Sequence, residues 1–89
     1  MQEYKLEIEL RQSGNYPKND YRLFINDEIM LERPWNIPPG YNHQVIHLTC
    51  KLGLGENAIN LQNIDGNLVL GKINIDNKEI KHTNGYFEL

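Results

Sequence analysis

Tyr4-Lys5-Leu6-Glu7-Ile8-Glu9-Leu10-Arg11 is the stretch that decides the fold class. Apolar and charged residues alternate through it without a break. A period of two sets Tyr4, Leu6, Ile8 and Leu10 on one face and Lys5, Glu7, Glu9 and Arg11 on the other. A strand with one dry side and one wet side belongs to an antiparallel sheet. Strands of buried parallel sheets read as continuous hydrophobic runs.

Working outward, Gln12 to Asn19 is rich in turn formers and reads as a loop. Tyr21, Leu23 and Ile25 then share the inner face of a second strand. Asn26-Asp27 is a two-residue hairpin turn, because both residues tolerate positive φ. Glu28 to Arg33 returns from it, with Ile29 and Leu31 expected to point inward. Pro34 to Tyr41 holds three prolines and a glycine, which excludes a helix or a central strand. Asn42 to Lys51 reads as a strand with Ile46, Leu48 and Cys50 on one face. Leu52 to Asn57 is a glycine-bearing turn, and Ala58 to Asn63 a short strand around Ile59 and Leu61.

Asp65-Gly66 reads as a second hairpin turn. Leu68 to Asp76 follows, with Val69, Ile73 and Ile75 expected on one face and Gly71 placed to form a bulge. Asp76-Asn77 turns the chain into a strand near Glu79 to Thr83. Asn84-Gly85 turns it again towards an edge at Tyr86 to Leu89. Seven to eight short strands at spacings of roughly 8–12 residues predict an all-β, antiparallel β-sandwich with no substantial helix. The 89 residues make a single domain, 1–89. No repeat is visible in the sequence.

Composition agrees. Leu, Ile, Val and Phe number 11, 10, 2 and 2, enough apolar mass for a folded core, whereas alanine, the best helix former, occurs once, at Ala58. A net charge of −3 with scattered Lys and Arg gives no basic stripe, so nucleic acid is not an expected partner. Apolar runs are too short for a membrane span, and Met1 to Glu9 has no signal-peptide pattern. The expectation is cytoplasmic synthesis. The single cysteine, Cys50, excludes an intrachain disulfide and reads as a buried small hydrophobe.

The run His47-Leu48-Thr49-Cys50-Lys51-Leu52-Gly53-Leu54-Gly55-Glu56-Asn57-Ala58-Ile59 resembles a feature of jelly-roll domains, in which a strand enters a Leu-x-x-Gly-x-Asn-x-Ile turn. Phe24-Ile25-Asn26-Asp27-Glu28 resembles their Val-x-Val-Asn-Gly-Glu hairpin, with Asp27 where glycine is usual. The likeness runs from Tyr21 to Ile75. It implies a jelly-roll-like sandwich of the kind found in carbohydrate-binding modules and in accessory domains of virion and tail proteins. The short, Asn- and Ile-rich chain also looks like small bacteriophage gene products.

Candidate chemistry is sparse. Trp35, Tyr41 and Tyr16 lie in loops and form the candidate ligand-binding set, since exposed rings stack on sugars or anchor protein interfaces. The competing reading of Trp35 is a plug for one end of the sandwich. Asp27, Asp65 and Asn67 are oxygen donors at turns and the candidate metal ligands. Calcium is the ion they suit, and jelly-roll modules resembling this chain hold one between loops. The competing reading is that turns require these residue types. His43 and His47 would share a metal on a helix, but on a strand they stand roughly 13 Å apart, too far for one ion. No nucleophile elbow or phosphate-binding glycine loop occurs. The expected function is therefore non-enzymatic, without cofactor: a binding or assembly module, plausible in a virion, acting through a protein partner or self-association. A glycan-binding module and a small inhibitor of a host enzyme stay open beside it.

Overall fold

The computed structural model describes residues 2–12, 20–34, 43–63 and 68–89. Among these the chain forms eight strands and no helix: β1 (Gln2–Gln12), β2 (Tyr21–Ile25), β3 (Glu28–Arg33), β4 (His43–Leu52), β5 (Glu56–Asn63), β6 (Leu68–Ile75), β7 (Lys78–Ile80) and β8 (Tyr86–Glu88). They make two four-stranded sheets, ordered β4-β1-β6-β7 and β3-β2-β5-β8. Every pairing is antiparallel.

The alternation in β1 has its expected consequence. Leu6, Ile8 and Leu10 are buried and Tyr4 is partly buried against them. They share one core with Ile46, Cys50 and Leu52 of β4 and Leu68, Ile73 and Ile75 of β6. Tyr21, Leu23 and Ile25 of β2, Ile59 of β5 and Phe87 of β8 come to the same core from the other sheet. The arrangement is sandwich-like: two sheets enclosing one apolar layer.

The strand orders contain a symmetry that the sequence does not display. Advancing every strand number by four, and counting on from β8 to β1, turns β4-β1-β6-β7 into β8-β5-β2-β3, which is the other sheet. Each half of the chain is a nested hairpin. In the first, β1 pairs with β4 around the β2–β3 hairpin; in the second, β5 pairs with β8 around β6–β7. The halves join through β1–β6 and β2–β5. Equivalent turns even make equivalent bonds. Asn26 donates its main-chain N–H to the Ala58 carbonyl (2.9 Å) and accepts the Ala58 N–H on Oδ1 (2.8 Å). Asp76 does the same to Lys5, at 2.8 and 2.9 Å.

Several sequence expectations need correction. Ile29 points outward, 49% exposed, whereas Met30 and Leu31 pack on the core. The cause is a register shift between Leu23 and Phe24, which leaves Met30 as an extra residue in β3 and reverses the parity beyond it. Val69 is likewise outward, and Leu68 is buried in its place. β6 carries the expected bulge at Gly71: Ile8 pairs with Ile73 but Leu10 with Leu70. One extra residue changes which positions face inward, so Leu68 and Leu70 precede the switch and Ile73 and Ile75 follow it. The residues Asp65-Gly66 lie outside the described residues, yet their hairpin reading fails, because β5 and β6 belong to different sheets. The strand expected near Glu79 to Thr83 is β7, at Lys78–Ile80.

Candidate functional site

The strands distribute their ends unequally. Gln12, Tyr21, Arg33, His43, Asn63 and Leu68 lie together at one end of the molecule, as their pairings require: Gln12 with Leu68, Arg11 with His43, and Tyr21 with both Arg33 and Asn63. The connections 13–19, 35–42 and 64–67 all leave from these residues. At this end a concavity of about 450 Å³ is lined by Asp20, Tyr21, Arg22, Glu32, Arg33 and Asn63, among others. Arg22 and Glu32 face each other across β2 and β3, with Nε and Oε2 3.3 Å apart. Tyr21 is buried beneath them, and burial pushes its phenol above the ordinary range, with Arg33 pulling the other way. Asn63 donates its amide to the Leu68 carbonyl (3.2 Å) and so ties the last residue of β5 to the first of β6.

The aromatic candidates Trp35, Tyr41 and Tyr16 lie outside the described residues, as do Asp65 and Asn67. The three connections that carry them nevertheless start and finish at the same end. Asp27 does not join them. It sits at φ 67° in the β2–β3 turn, exposed, at the opposite end of β2. Tyr21 pairs with Asn63 and Ile25 with Ile59, so the length of β2, roughly 13 Å, separates that turn from the strand ends flanking Asp65 and Asn67. Among the described residues no three His, Cys, Asp or Glu side chains converge as metal ligands.

The other singled-out residues have structural surroundings. Cys50 is buried, and that burial, followed by the charge of Glu28, pushes its thiol up, away from the reactive thiolate. His43 and His47 lie on the exposed face of β4. His82 is held on both ring nitrogens. The Gly85 N–H donates to Nδ1 (3.1 Å), which leaves the ring proton on Nε2 to donate to the Gly71 carbonyl (2.7 Å).

Three features were not legible as sites. Asn57, 2% exposed, is a buried polar knot. Its Oδ1 accepts from Asn26 Nδ2 (2.9 Å) and the Gly53 N–H (3.3 Å), and its Nδ2 donates to the carbonyls of Gly53 (2.9 Å) and Gly55 (3.2 Å). The Asn of the Leu-x-x-Gly-x-Asn-x-Ile turn thus replaces the ladder bonds lost where β4 becomes β5. The second feature is Glu9. Its Oε1 accepts the Lys72 N–H (3.1 Å) and Arg11 Nε (2.9 Å) in the space that a Gly71 side chain would fill. The Lys72 bond, with help from Arg11 and against partial desolvation, holds the Glu9 carboxyl below its usual range.

The third feature is the outside of the second sheet. There Ile29 stands opposite Phe24, and Tyr86, about half exposed, stands opposite Ala58. Period-two alternation marks the strands but not this row, because the β3 bulge is what turns Ile29 outward.

No protein-family model, no curated protein and no solved structure matches the chain.

Proposed function

We propose that this chain is a non-catalytic β-sandwich module of jelly-roll type that works by protein–protein assembly. The jelly-roll assignment is supported by the two nested hairpins, since such sandwiches are built from two successive Greek keys. The observation that carries the assembly reading is the β4 edge. β4 runs ten residues in unbroken register with β1 and has no strand on its other side among the described residues. Such an edge is a template for another strand. Ile29 and Tyr86 add exposed apolar area on the other sheet. Non-catalytic action is supported by how the reactive side chains are used: Cys50 is buried with a raised thiol, and both His82 nitrogens hold main-chain groups. An accessory role in a virion or tail is the setting that fits the resemblance.

The test is size and company. The purified chain, cross-linked and analysed by sedimentation, should be recovered as a complex with itself or with a second protein captured from its host lysate. A monomer at all concentrations that captures nothing would end the proposal.

A glycan-binding reading is favoured by a separate observation: the connections bearing Tyr16, Trp35 and Tyr41 leave from strand ends beside one concavity. It predicts signals on a glycan array that Trp35→Ala abolishes without unfolding the protein. A blank array, with calcium present, would remove it.

A further inference from the structure

We infer that the β4 edge is completed by β4 of a second copy, joined antiparallel across a two-fold axis at His47, so that two four-stranded sheets become one sheet of eight. This rests on the assembly reading and names its surface and its occupant.

The four sheet edges differ in how they are protected. Natural sheets protect edges with short strands, bulges, prolines and charges. β7 and β8 are three residues each. β3 carries the Met30 bulge, is followed by Pro34, and bears Glu28, Glu32 and Arg33. β4 is long and has no bulge, proline or acidic residue over its ten residues, and its one Lys or Arg, Lys51, stands near its end. Among the described residues three edges are blunted and one is open.

β4 is also complementary to itself. An isologous antiparallel pair sets residue i opposite residue 94 − i when the axis passes through His47. On the core side this places Ile46 opposite Leu48 of the second copy, and Leu48 opposite Ile46. On the outer side Val45, 41% exposed, meets Thr49, a pair of β-branched side chains that favours strand association. Without an acidic residue on β4, no row of carboxylates opposes the pairing. Moving the axis to Leu48 would instead oppose Val45 with Lys51 and Gln44 with Leu52, which wastes both apolar side chains. Heterologous pairing with β3, β7 or β8 would meet the bulge or run out of strand, so a closed dimer is the favoured product.

The test uses two exposed outer-face positions. The wild-type chain should show a concentration-dependent dimer by sedimentation equilibrium, and β4 amides should gain hydrogen-exchange protection as concentration rises. The double variant Val45→Lys/Thr49→Lys places ammonium groups directly opposite one another twice and should weaken the dimer about tenfold or more. Val45→Glu/Thr49→Glu should weaken it likewise. An equimolar mixture of the two variants should restore a dimer, because each Lys then faces a Glu. Circular dichroism and melting of each variant alone establish that they fold. A wild-type monomer at about 1 mM would overturn the inference. So would a dimer indifferent to both variants, or a mixture that does not re-associate. If the monomer still forms a complex with another protein, only this inference falls; if it forms none, the assembly reading falls with it.

Discussion

Asn57 shows how one buried amide can decide a turn. Its two donors and its acceptor serve four partners on three residues, two of them the glycines of its own turn and the third Asn26, thirty-one positions away. Asn57→Ala would remove all four of those bonds, although the Gly55 carbonyl keeps the Leu89 N–H, and should cost about 2–4 kcal/mol, read as a lower urea midpoint. Asn57→Asp keeps the shape but points a carboxylate at two carbonyls. It should be at least as damaging at neutral pH and should recover in part in acid, where the protonated form donates one of the two bonds. The sequence located Asn57 in a turn; its role depends on Asn26 and is invisible to any local pattern. Glu9 offers a test by pH. Its carboxyl is held below the usual range in the folded chain, so it stabilises the fold above the unfolded value near 4.5 and that contribution disappears as pH falls through the lower folded value. Glu9→Gln should therefore be less stable than wild type at pH 7, by about 0.5–1 kcal/mol after solvent screening. The gap should close as pH falls through that lower folded value. Parallel urea titrations check both ends of that window, and a constant gap would exclude the carboxylate as the cause.

Turns are the elements the sequence exposes best, because their chemistry is local. Asn26-Asp27 (φ 49°, 67°), Asp76-Asn77 (49°, 68°) and Asn84-Gly85 (51°, 89°) all lie where pairs of Asn, Asp and Gly placed them. Both central residues take positive φ, the type I′ geometry that suits the twist of the strands they join. Asp27 occupies a position that glycine fills at lower conformational cost. Asp27→Gly should accordingly stabilise by about 0.5–1 kcal/mol, and Asp27→Val should destabilise by more than that, both visible as shifts in the melting temperature. Gly85 is a harsher case: a Cβ there would strike the Ile59 carbonyl oxygen and crowd Leu70, at a φ that side chains avoid. Gly85→Ala should cost at least ~2 kcal/mol and disturb the Ile59 N–H to Gly85 carbonyl bond (2.9 Å), a loss that amide exchange at Ile59 would report. Bulges are where element-level reading failed. Gly71 drew attention to itself, but the parity switch that buries Leu68 and turns Val69 outward follows from Glu9, on a neighbouring strand, capping Lys72. Nothing within β3 itself marks Met30 as the extra residue.

At the scale of the molecule, alternation specified the dry faces but not which strand stands beside which, since any antiparallel neighbour satisfies a period of two. The shift-by-four relation between the sheets was therefore absent from the sequence pattern, and the candidate ligand loops were legible only as composition. That relation leads to a sharp expectation. Gln2 pairs with Leu52, and Leu89 exchanges both main-chain bonds with Gly55, at 3.0 and 3.1 Å. The first and last described residues thus flank the single turn that links the two nested hairpins. Joining them through about six Gly or Ser residues, a reach of up to ~20 Å, and opening the chain between Gly53 and Leu54 exchanges the order of the halves. The new chain runs β5-β6-β7-β8-β1-β2-β3-β4, and renumbered from one it reproduces both strand orders. Its topology is unchanged, so it should fold to the same circular dichroism spectrum and the same pattern of protected amides. It should be less stable, because the cut falls inside the turn that Asn57 clamps and the linker adds closure entropy; about 2–3 kcal/mol is the expected deficit. Opening the chain within β1 instead divides the central strand that joins both halves through β4 and β6, and should abolish folding. If the first permutant unfolds while the second survives, the two halves are not equivalent, and the symmetry of the strand orders carries no energetic meaning.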